Sequence, residues 1–136
     1  ILINCSPKEL DDIAPIKDLV PDVCVFSGAL RELLGLIHES DLFIGNDSGP
    51  SQCSVALNIP TITLNGPSTS NFFRDPDIFQ GKHYTFNKEV YCRDLFHSQC
   101  MSKTEPVNNH PVCEEMICLE FTVEEVAIKA LEMIEG

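Results

Sequence analysis

Short apolar runs alternate with helical patterns through the first half of the chain, and this alternation constrains the fold more than any other feature. The apolar runs predict strands at Ile1–Asn4, Val23–Phe26, Leu42–Gly45 and Thr61–Leu64. The segments between them predict helices at Asp11–Val20, Ala29–Glu39 and Ser51–Leu57. Each strand is nearly continuous in apolar residues, as expected when both faces of a parallel sheet are covered. The pattern therefore predicts an α/β fold, with a parallel sheet and helices on both of its faces.

The second half of the chain breaks this rhythm. Loops dominate from Asn65 to Asn87, apart from a short fifth strand predicted at His83–Phe86. Near the C-terminus, Thr122 and Glu125 have the spacing of a capping box, which predicts the start of a last helix. Apolar residues recur along this helix at helical spacing, and we expect the stripe to pack in the core. Its members are Val123, Val126, Ala127, Ala130, Leu131 and Ile134.

Length and charge exclude several classes of function. The chain has 136 residues, enough for one domain, and its 9 basic and 21 acidic residues give a formal net charge of −12. This acidity argues against nucleic-acid binding and against docking to an anionic membrane. No apolar run approaches the roughly 20 residues of a membrane helix, and no signal peptide is visible. The chain opens at Ile1 rather than Met, so we expect it to be a piece of a longer protein.

Seven cysteines are present, and their odd number disfavours a full disulfide framework. Three of them, Cys5, Cys24 and Cys53, lie in apolar surroundings and are expected to be buried. The other four crowd into a loop segment at 88–120, at Cys92, Cys100, Cys113 and Cys118. Only the last pair has the close spacing of a zinc site. Free thiols in a packed loop are favoured, with a bound metal or disulfides as alternatives, and no residue is assigned as a metal ligand.

The strongest candidate for a ligand site is the hexapeptide Gly45–Pro50, which follows a strand and precedes a helix. In open parallel sheets, ligands bind at the carboxyl ends of the strands. The glycines allow the backbone to approach a ligand closely, and the N-terminus of the helix favours a phosphate. Asp47 is suited to accept hydrogen bonds from sugar hydroxyls, and Ser48 to donate to a phosphate oxygen. The alternative is a plain capped turn, in which Asp47 or Ser48 bonds the helix N-terminus.

The order of three motifs resembles the C-terminal domain of the family 9 glycosyltransferases, the ADP-heptose:lipopolysaccharide heptosyltransferases. These motifs are Gly45-Asn46-Asp47-Ser48-Gly49-Pro50, Ala56-Leu57-Asn58-Ile59-Pro60-Thr61 and Gly66-Pro67-Ser68. The resemblance spans roughly residues 25 to 130. It implies a Rossmann-like domain that forms the C-terminal half of a GT-B architecture, in which two such domains flank the active site. Residues 1–136 would then be the nucleotide-sugar (donor) binding domain, truncated at its N-terminus.

The resemblance also implies roles for individual residues. Asp47, Ser48 and Gly49 would bind the nucleotide-sugar donor, and Glu9 is the nearest match to a donor-contacting glutamate of the family. Gln52 stands where the family usually has histidine, and a neutral amide donates a hydrogen bond but carries no charge. Independently of the resemblance, Ser68 follows Gly66-Pro67 at the carboxyl end of a strand, which suits it to touch a donor phosphate or to cap a turn, and Asn65 is similarly placed.

What the resemblance implies for the whole enzyme is an inverting sugar transfer without a cofactor. The donor would be a nucleotide-diphosphate sugar, with an ADP-sugar favoured, and the acceptor a glycan or a lipid-linked glycan such as lipopolysaccharide. The catalytic base would belong to an N-terminal domain in cis, so this chain alone would hold no catalytic residue and would be inactive. The expected location is the cytoplasm, at the inner face of the inner membrane.

Two other functions remain open at this point. The Asp47-Ser48-Gly49 stretch with Gln52 also resembles a motif of UDP-N-acetylglucosamine 2-epimerases, which share the two-domain architecture. The third candidate is a non-catalytic α/β binding module whose cysteine cluster holds a metal.

Overall fold

The structure is a computed structural model, and it describes residues 1–66, 82–88, 90 and 117–136. The chain divides into two compact units, Ile1–Glu39 and Ser40–Gly136. Of the four clustered cysteines, the described ranges contain Cys118 alone, and most of the segment 88–120 lies outside them. No described helix is both long enough and apolar enough to span a bilayer.

The first unit contains two parallel strands and two helices. Strand β1 (Leu2–Asn4) pairs with β2 (Cys24–Phe26), and Ile3 lies opposite Val25. Helix α1 (Leu10–Leu19) connects the two strands after a 3₁₀ turn at Pro7–Glu9, and α2 (Leu30–His38) follows β2. The buried apolar residues of this unit are Cys5, Val23, Leu33 and Ile37. Leu33 and Ile37, one turn apart, thus form the buried face of α2.

The second unit contains three parallel strands in the order β3-β4-β5. They are β3 (Phe43–Asn46), β4 (Thr61–Leu64) and β5 (His83–Phe86), with helices α3 (Gly49–Ala56) and α4 (Val123–Glu135). The register aligns the last residue of each strand, so that Asn46, Leu64 and Phe86 form one carboxyl end of the sheet. A short 3₁₀ turn at Ile117–Leu119 precedes α4. The predicted parallel α/β arrangement is thus confirmed in both units.

Helices α3 and α4 contact opposite faces of this three-stranded sheet. Ser54 of α3 bonds the hydroxyl of Thr61, which shares a face with its register partner His83. Lys129 of α4 lies 4.6 Å from the ring centroid of Tyr84, the next residue of β5. Successive residues of a strand point to opposite faces, so the two helices cover different sides.

Helix α4 does not bury its apolar stripe, which corrects the expectation of core packing. The capping box is confirmed, because the Glu125 amide donates to the Thr122 hydroxyl at 3.1 Å. No residue of α4 is buried, however, and Val123, Leu131 and Ile134 are 80%, 57% and 57% exposed. The contact with Tyr84 is made through Lys129, beside the half-buried Val126 and Ala130 at the edge of the stripe. Periodicity identifies residues that share a face, but whether that face is covered depends on the rest of the molecule.

The interface between α3 and β4 is polar instead of apolar. Five of its residues have no exposed surface, namely Ser51, Ser54, Thr61, Thr63 and Asn65. We call this set the polar seam. Val55 of α3 and Ile62 of β4 are buried as well, and Ile62 points to the face of the strand opposite Thr61 and Thr63. The polar seam runs along the strand toward the carboxyl end of the sheet, where the candidate site lies.

Candidate functional site

Four of the predicted site residues lie together at the carboxyl end of β3. The strand ends at Asn46, and α3 begins at Gly49, so Asp47 and Ser48 form the whole connection. Helix α3 starts two residues earlier than predicted. Pro50 fits its first turn, because backbone N–H groups there have no acceptor within the helix and proline lacks this group. The helix thereby directs its N-terminus at the sheet end, and Gln52 lies on its first turn.

Asp47 and Gln52 are joined directly. The Nε2 atom of Gln52 donates to Oδ1 of Asp47 at 2.9 Å, and both side chains are half-buried. An amide in this position orients the carboxylate without neutralising it, because it supplies a hydrogen bond and no charge. Asp47 therefore remains an oriented acceptor whose negative charge is not cancelled by Gln52.

The N-terminus of α3 is capped by Ser51 and not by the side chain of Ser48. The Ser48 amide donates to the Ser51 hydroxyl at 3.1 Å, and that hydroxyl donates to the Ser48 carbonyl at 2.8 Å. The Ser48 side chain makes no capping hydrogen bond and is exposed. The capped-turn interpretation is thus wrong for the Ser48 hydroxyl. This hydroxyl lies at the positive end of a helix, where an anionic ligand is favoured.

The two glycines of the hexapeptide have different roles. A Cβ atom at Gly49 would meet nothing within 4 Å, so the backbone there is open to a ligand. A Cβ atom at Gly45 would lie 2.8 Å from Cε1 of Phe43, two residues earlier on the same strand face. Gly45 therefore accommodates the Phe43 ring, and the prediction of close approach to a ligand applies to Gly49.

Glu9 belongs to the first unit, whereas Asp47 to Gln52 belong to the second. Its carboxylate accepts a hydrogen bond from the amide of Ser6 at 2.7 Å, and Ser6 is the N-cap of the 3₁₀ turn that ends at Glu9. Hydrogen bonds from the Ser6 side chain and backbone lower the pKa of Glu9. A local capping role accounts for this geometry. Ser68 lies outside the described residues.

Thr63 is a neighbouring polar group that the sequence interpretation missed, and Asn65 is the residue it placed beside Ser68. Both are fully buried, and neither the Thr63 hydroxyl nor either amide atom of Asn65 has a hydrogen-bond partner. The signal was available as the alternation Thr-Ile-Thr-Leu-Asn, in which every second residue is polar. The prediction of apolar surroundings on both faces of this strand conflicts with that alternation.

The cysteines only partly follow the prediction of burial. Cys5 is buried, but Cys53 is half-buried and Cys24 is exposed. Cys24 begins a strand of three residues, Cys24–Phe26, which is only partly covered in this unit. Apolar neighbours in the sequence therefore do not ensure that a cysteine is buried. Among the described residues, no group of three His, Cys, Asp or Glu side chains could hold a metal ion. Cys92, Cys100 and Cys113 lie outside the described residues, so the alternatives for this cluster remain predictions.

Comparison with known proteins identifies the family. The model of glycosyltransferase family 9 (heptosyltransferase) matches residues 23–110, which include the whole connection from β3 to α3. The chain belongs to glycosyltransferase family 9. This family 9 match begins after Glu9, so it gives that residue no support, whereas Asp47, Ser48, Gly49, Gln52 and Ser68 all lie within it.

Three curated relatives illustrate the similarity. Lipopolysaccharide heptosyltransferase 1 of Campylobacter coli is 39% identical over 82 residues, which cover 57% of this chain and 23% of the relative. Lipooligosaccharide heptosyltransferase 2 of Campylobacter jejuni is 34% identical over 97 residues, covering 71% and 28%. Lipopolysaccharide heptosyltransferase 3 of Escherichia coli is 32% identical over 80 residues, covering 54% and 24%. This family 9 chain thus spans about a quarter of the length of these relatives. No solved structure matches it.

Proposed function

We propose that this chain is the donor-binding domain of an inverting glycosyltransferase. The enzyme would transfer a heptose-like sugar from a nucleotide-diphosphate sugar to a lipopolysaccharide-type acceptor. The observation that carries the proposal is the connection from β3 to α3, where an oriented carboxylate and an exposed hydroxyl meet a helix N-terminus. Family membership and the names of the relatives support this class of activity.

Each group of the site has a distinct task in this proposal. Asp47, held by Gln52, accepts hydrogen bonds from hydroxyl groups of the donor. The Ser48 hydroxyl and the open backbone at Gly49 face the diphosphate at the N-terminus of α3. As the bond to the anomeric carbon breaks, negative charge grows on the departing diphosphate. A fixed helix dipole and hydroxyl donor stabilise this charge without reorganisation.

The remaining parts of the reaction are assigned to an N-terminal domain in cis. A general base there deprotonates the acceptor hydroxyl as it attacks the anomeric carbon, which inverts the configuration. The present chain without that domain would bind the donor but would not turn it over. We place the enzyme in the cytoplasm, at the inner face of the inner membrane, where it meets its acceptor, and we favour an ADP-sugar as the donor.

Family membership supports this proposal over an epimerase-like enzyme, since the match is to a transferase family and includes Gln52. A non-catalytic module with a cysteine-bound metal differs in its predictions, because it would bind metal and have no affinity for nucleotides. The two can be told apart on one sample.

The test is a calorimetric titration of the protein with ADP, UDP and GDP, together with a zinc assay. The proposal predicts saturable binding of one nucleotide, with amide NMR shifts confined to Asp47–Gln52 and their neighbours. The matched control is Asp41→Asn, which removes one negative charge from an exposed position before the amino-terminal end of β3. This control should bind as the unaltered protein does. Stoichiometric zinc without nucleotide binding would instead support the binding module.

A further inference from the structure

The polar seam is fully bonded at its lower end, near the start of β4. The Ser54 hydroxyl lies 2.8 Å from the hydroxyl of Thr61 and donates to the Ser51 carbonyl at 2.8 Å. With the Ser54 proton so placed, the single Thr61 proton is shared between the Ser54 oxygen and the Ile59 carbonyl, which also lies 2.8 Å away. Each buried hydroxyl here has a partner, as is usual for buried polar groups. The lower half of the polar seam is thus an ordinary structural network.

The upper end of the polar seam differs. The Thr63 Oγ1 atom and both amide atoms of Asn65 are buried and lack any hydrogen-bond partner. The Asn65 backbone is fixed, since its amide donates to the Phe86 carbonyl at 3.0 Å and continues the β4–β5 ladder. Burying unpaired polar groups lowers stability, and natural proteins retain them where a function needs them. Leucine or valine would fill these positions without that cost.

The unpaired groups lie at the candidate site. Alternation along β4 places Thr63 and Asn65 on the same face as Thr61, and the bond from Thr61 to Ser54 shows that α3 covers this face. The register that pairs Asn46 with Leu64 places Asn65 beside Asp47, each one residue beyond its strand. The unpaired groups of Asn65 therefore belong to the face of the sheet that α3 covers, at its carboxyl end.

We propose that Thr63 and Asn65 form a binding subsite for an oxygen of a nucleoside diphosphate. The Thr63 hydroxyl and Asn65 Nδ2 donate to a phosphate oxygen, and Asn65 Oδ1 accepts from an adjacent hydroxyl of the same ligand. The N-terminus of α3 adds favourable electrostatics for the phosphate. This subsite rests on the proposed function, because it belongs to the same donor site. The ligand oxygen takes the place that the polar seam leaves without a partner.

The experiment compares thermal stability with nucleotide affinity, in the full natural polypeptide that contains this chain. The variants are Asn65→Leu and Thr63→Val, which remove the unpaired groups and keep similar volumes. Without ligand, Asn65→Leu should unfold at a temperature roughly 3–10 °C higher, since a buried unpaired group is removed. The affinity for the preferred nucleoside diphosphate, measured by calorimetry with ADP, UDP and GDP, should fall about tenfold or more. Thr63→Val should change both quantities in the same directions.

Thr61→Val is the matched control, since it alters a bonded member of the polar seam. It should unfold at a lower temperature and bind the nucleotide unchanged. Unchanged affinity in Asn65→Leu and Thr63→Val would overturn the subsite, and lower stability with unchanged affinity would show that these groups bond an internal water. Failure of the unaltered protein to bind any of the three nucleotides would overturn the proposed function and the subsite with it. The two failures are distinguished by whether the unaltered protein binds.

Discussion

Replacement of Asp47 by asparagine separates its charge from its shape. The Gln52 amide that now donates to Oδ1 at 2.9 Å can donate equally to the amide oxygen introduced by Asp47→Asn. The local structure should therefore persist, and the free energy of unfolding should change by less than about 1 kcal/mol. What is lost is the charge that strengthens hydrogen bonds from the donor hydroxyls. Such bonds contribute about 1.5–3 kcal/mol, so we expect affinity to fall roughly 10- to 150-fold.

Calorimetric titration with the preferred nucleotide sugar measures this loss, and urea unfolding measures stability on the same preparation. Asp41→Asn removes the same charge from an exposed position before β3 and should leave the affinity unchanged. Gln52→Leu removes the donor of the hydrogen bond that orients the Asp47 carboxylate. It should lower stability by about 0.5–1.5 kcal/mol, or roughly 2–5 °C for a chain of 136 residues. The reasoning is refuted if Asp47→Asn binds the donor as tightly as the unaltered protein.

Three further predictions concern the first turn of α3, the end of that helix and the start of α4. Ser48→Ala should leave stability within about 0.5 kcal/mol, because the hydroxyl caps nothing, but it should weaken nucleotide binding in the same titration. Asn58 has a φ of 58°, so Asn58→Ala should cost about 1 kcal/mol in urea unfolding, whereas Asn58→Gly should not. Hydrogen bonds from the Thr122 backbone and hydroxyl lower the pKa of Glu125. The stability that Glu125 contributes is present above the ordinary pKa of an unfolded-state glutamate and is lost as the pH falls through its lowered folded-state pKa. Glu125→Gln should therefore reduce the loss of stability on acidification in urea titrations, and Glu135→Gln at the far end of α4 should not.

Strand positions were highly predictable because local chemistry determined them. Pro60 excludes helix before a run of β-branched residues, so β4 at Thr61–Leu64 has the predicted bounds. Helix α3 begins two residues before its predicted start, because Gly49 and Pro50 are typical of loops in sequence. Both residues are compatible with a first helical turn, where the N–H groups lack intrahelical partners.

The candidate site was predictable in location but not in its internal bonding. The position of Asp47 and Ser48 follows from a strand that ends before a helix. That Gln52 bonds Asp47, and that Ser51 forms the cap, depends on side-chain geometry that spacing does not fix. The unpaired groups of Thr63 and Asn65 are a property of three-dimensional packing and have no signature in composition.

The exposed stripe of α4 has a consequence for the colloidal behaviour of the protein. The exposed apolar residues are interspersed with Glu124, Glu125, Glu132 and Glu135, and the whole chain carries a net charge of −12. At neutral pH, like-charge repulsion opposes contact between two copies through this stripe. Acidification toward the isoelectric point of about 4.5 removes that repulsion and leaves the apolar residues exposed. Preparations should therefore be kept near neutral pH at low salt, where the glutamates act as gatekeepers against aggregation.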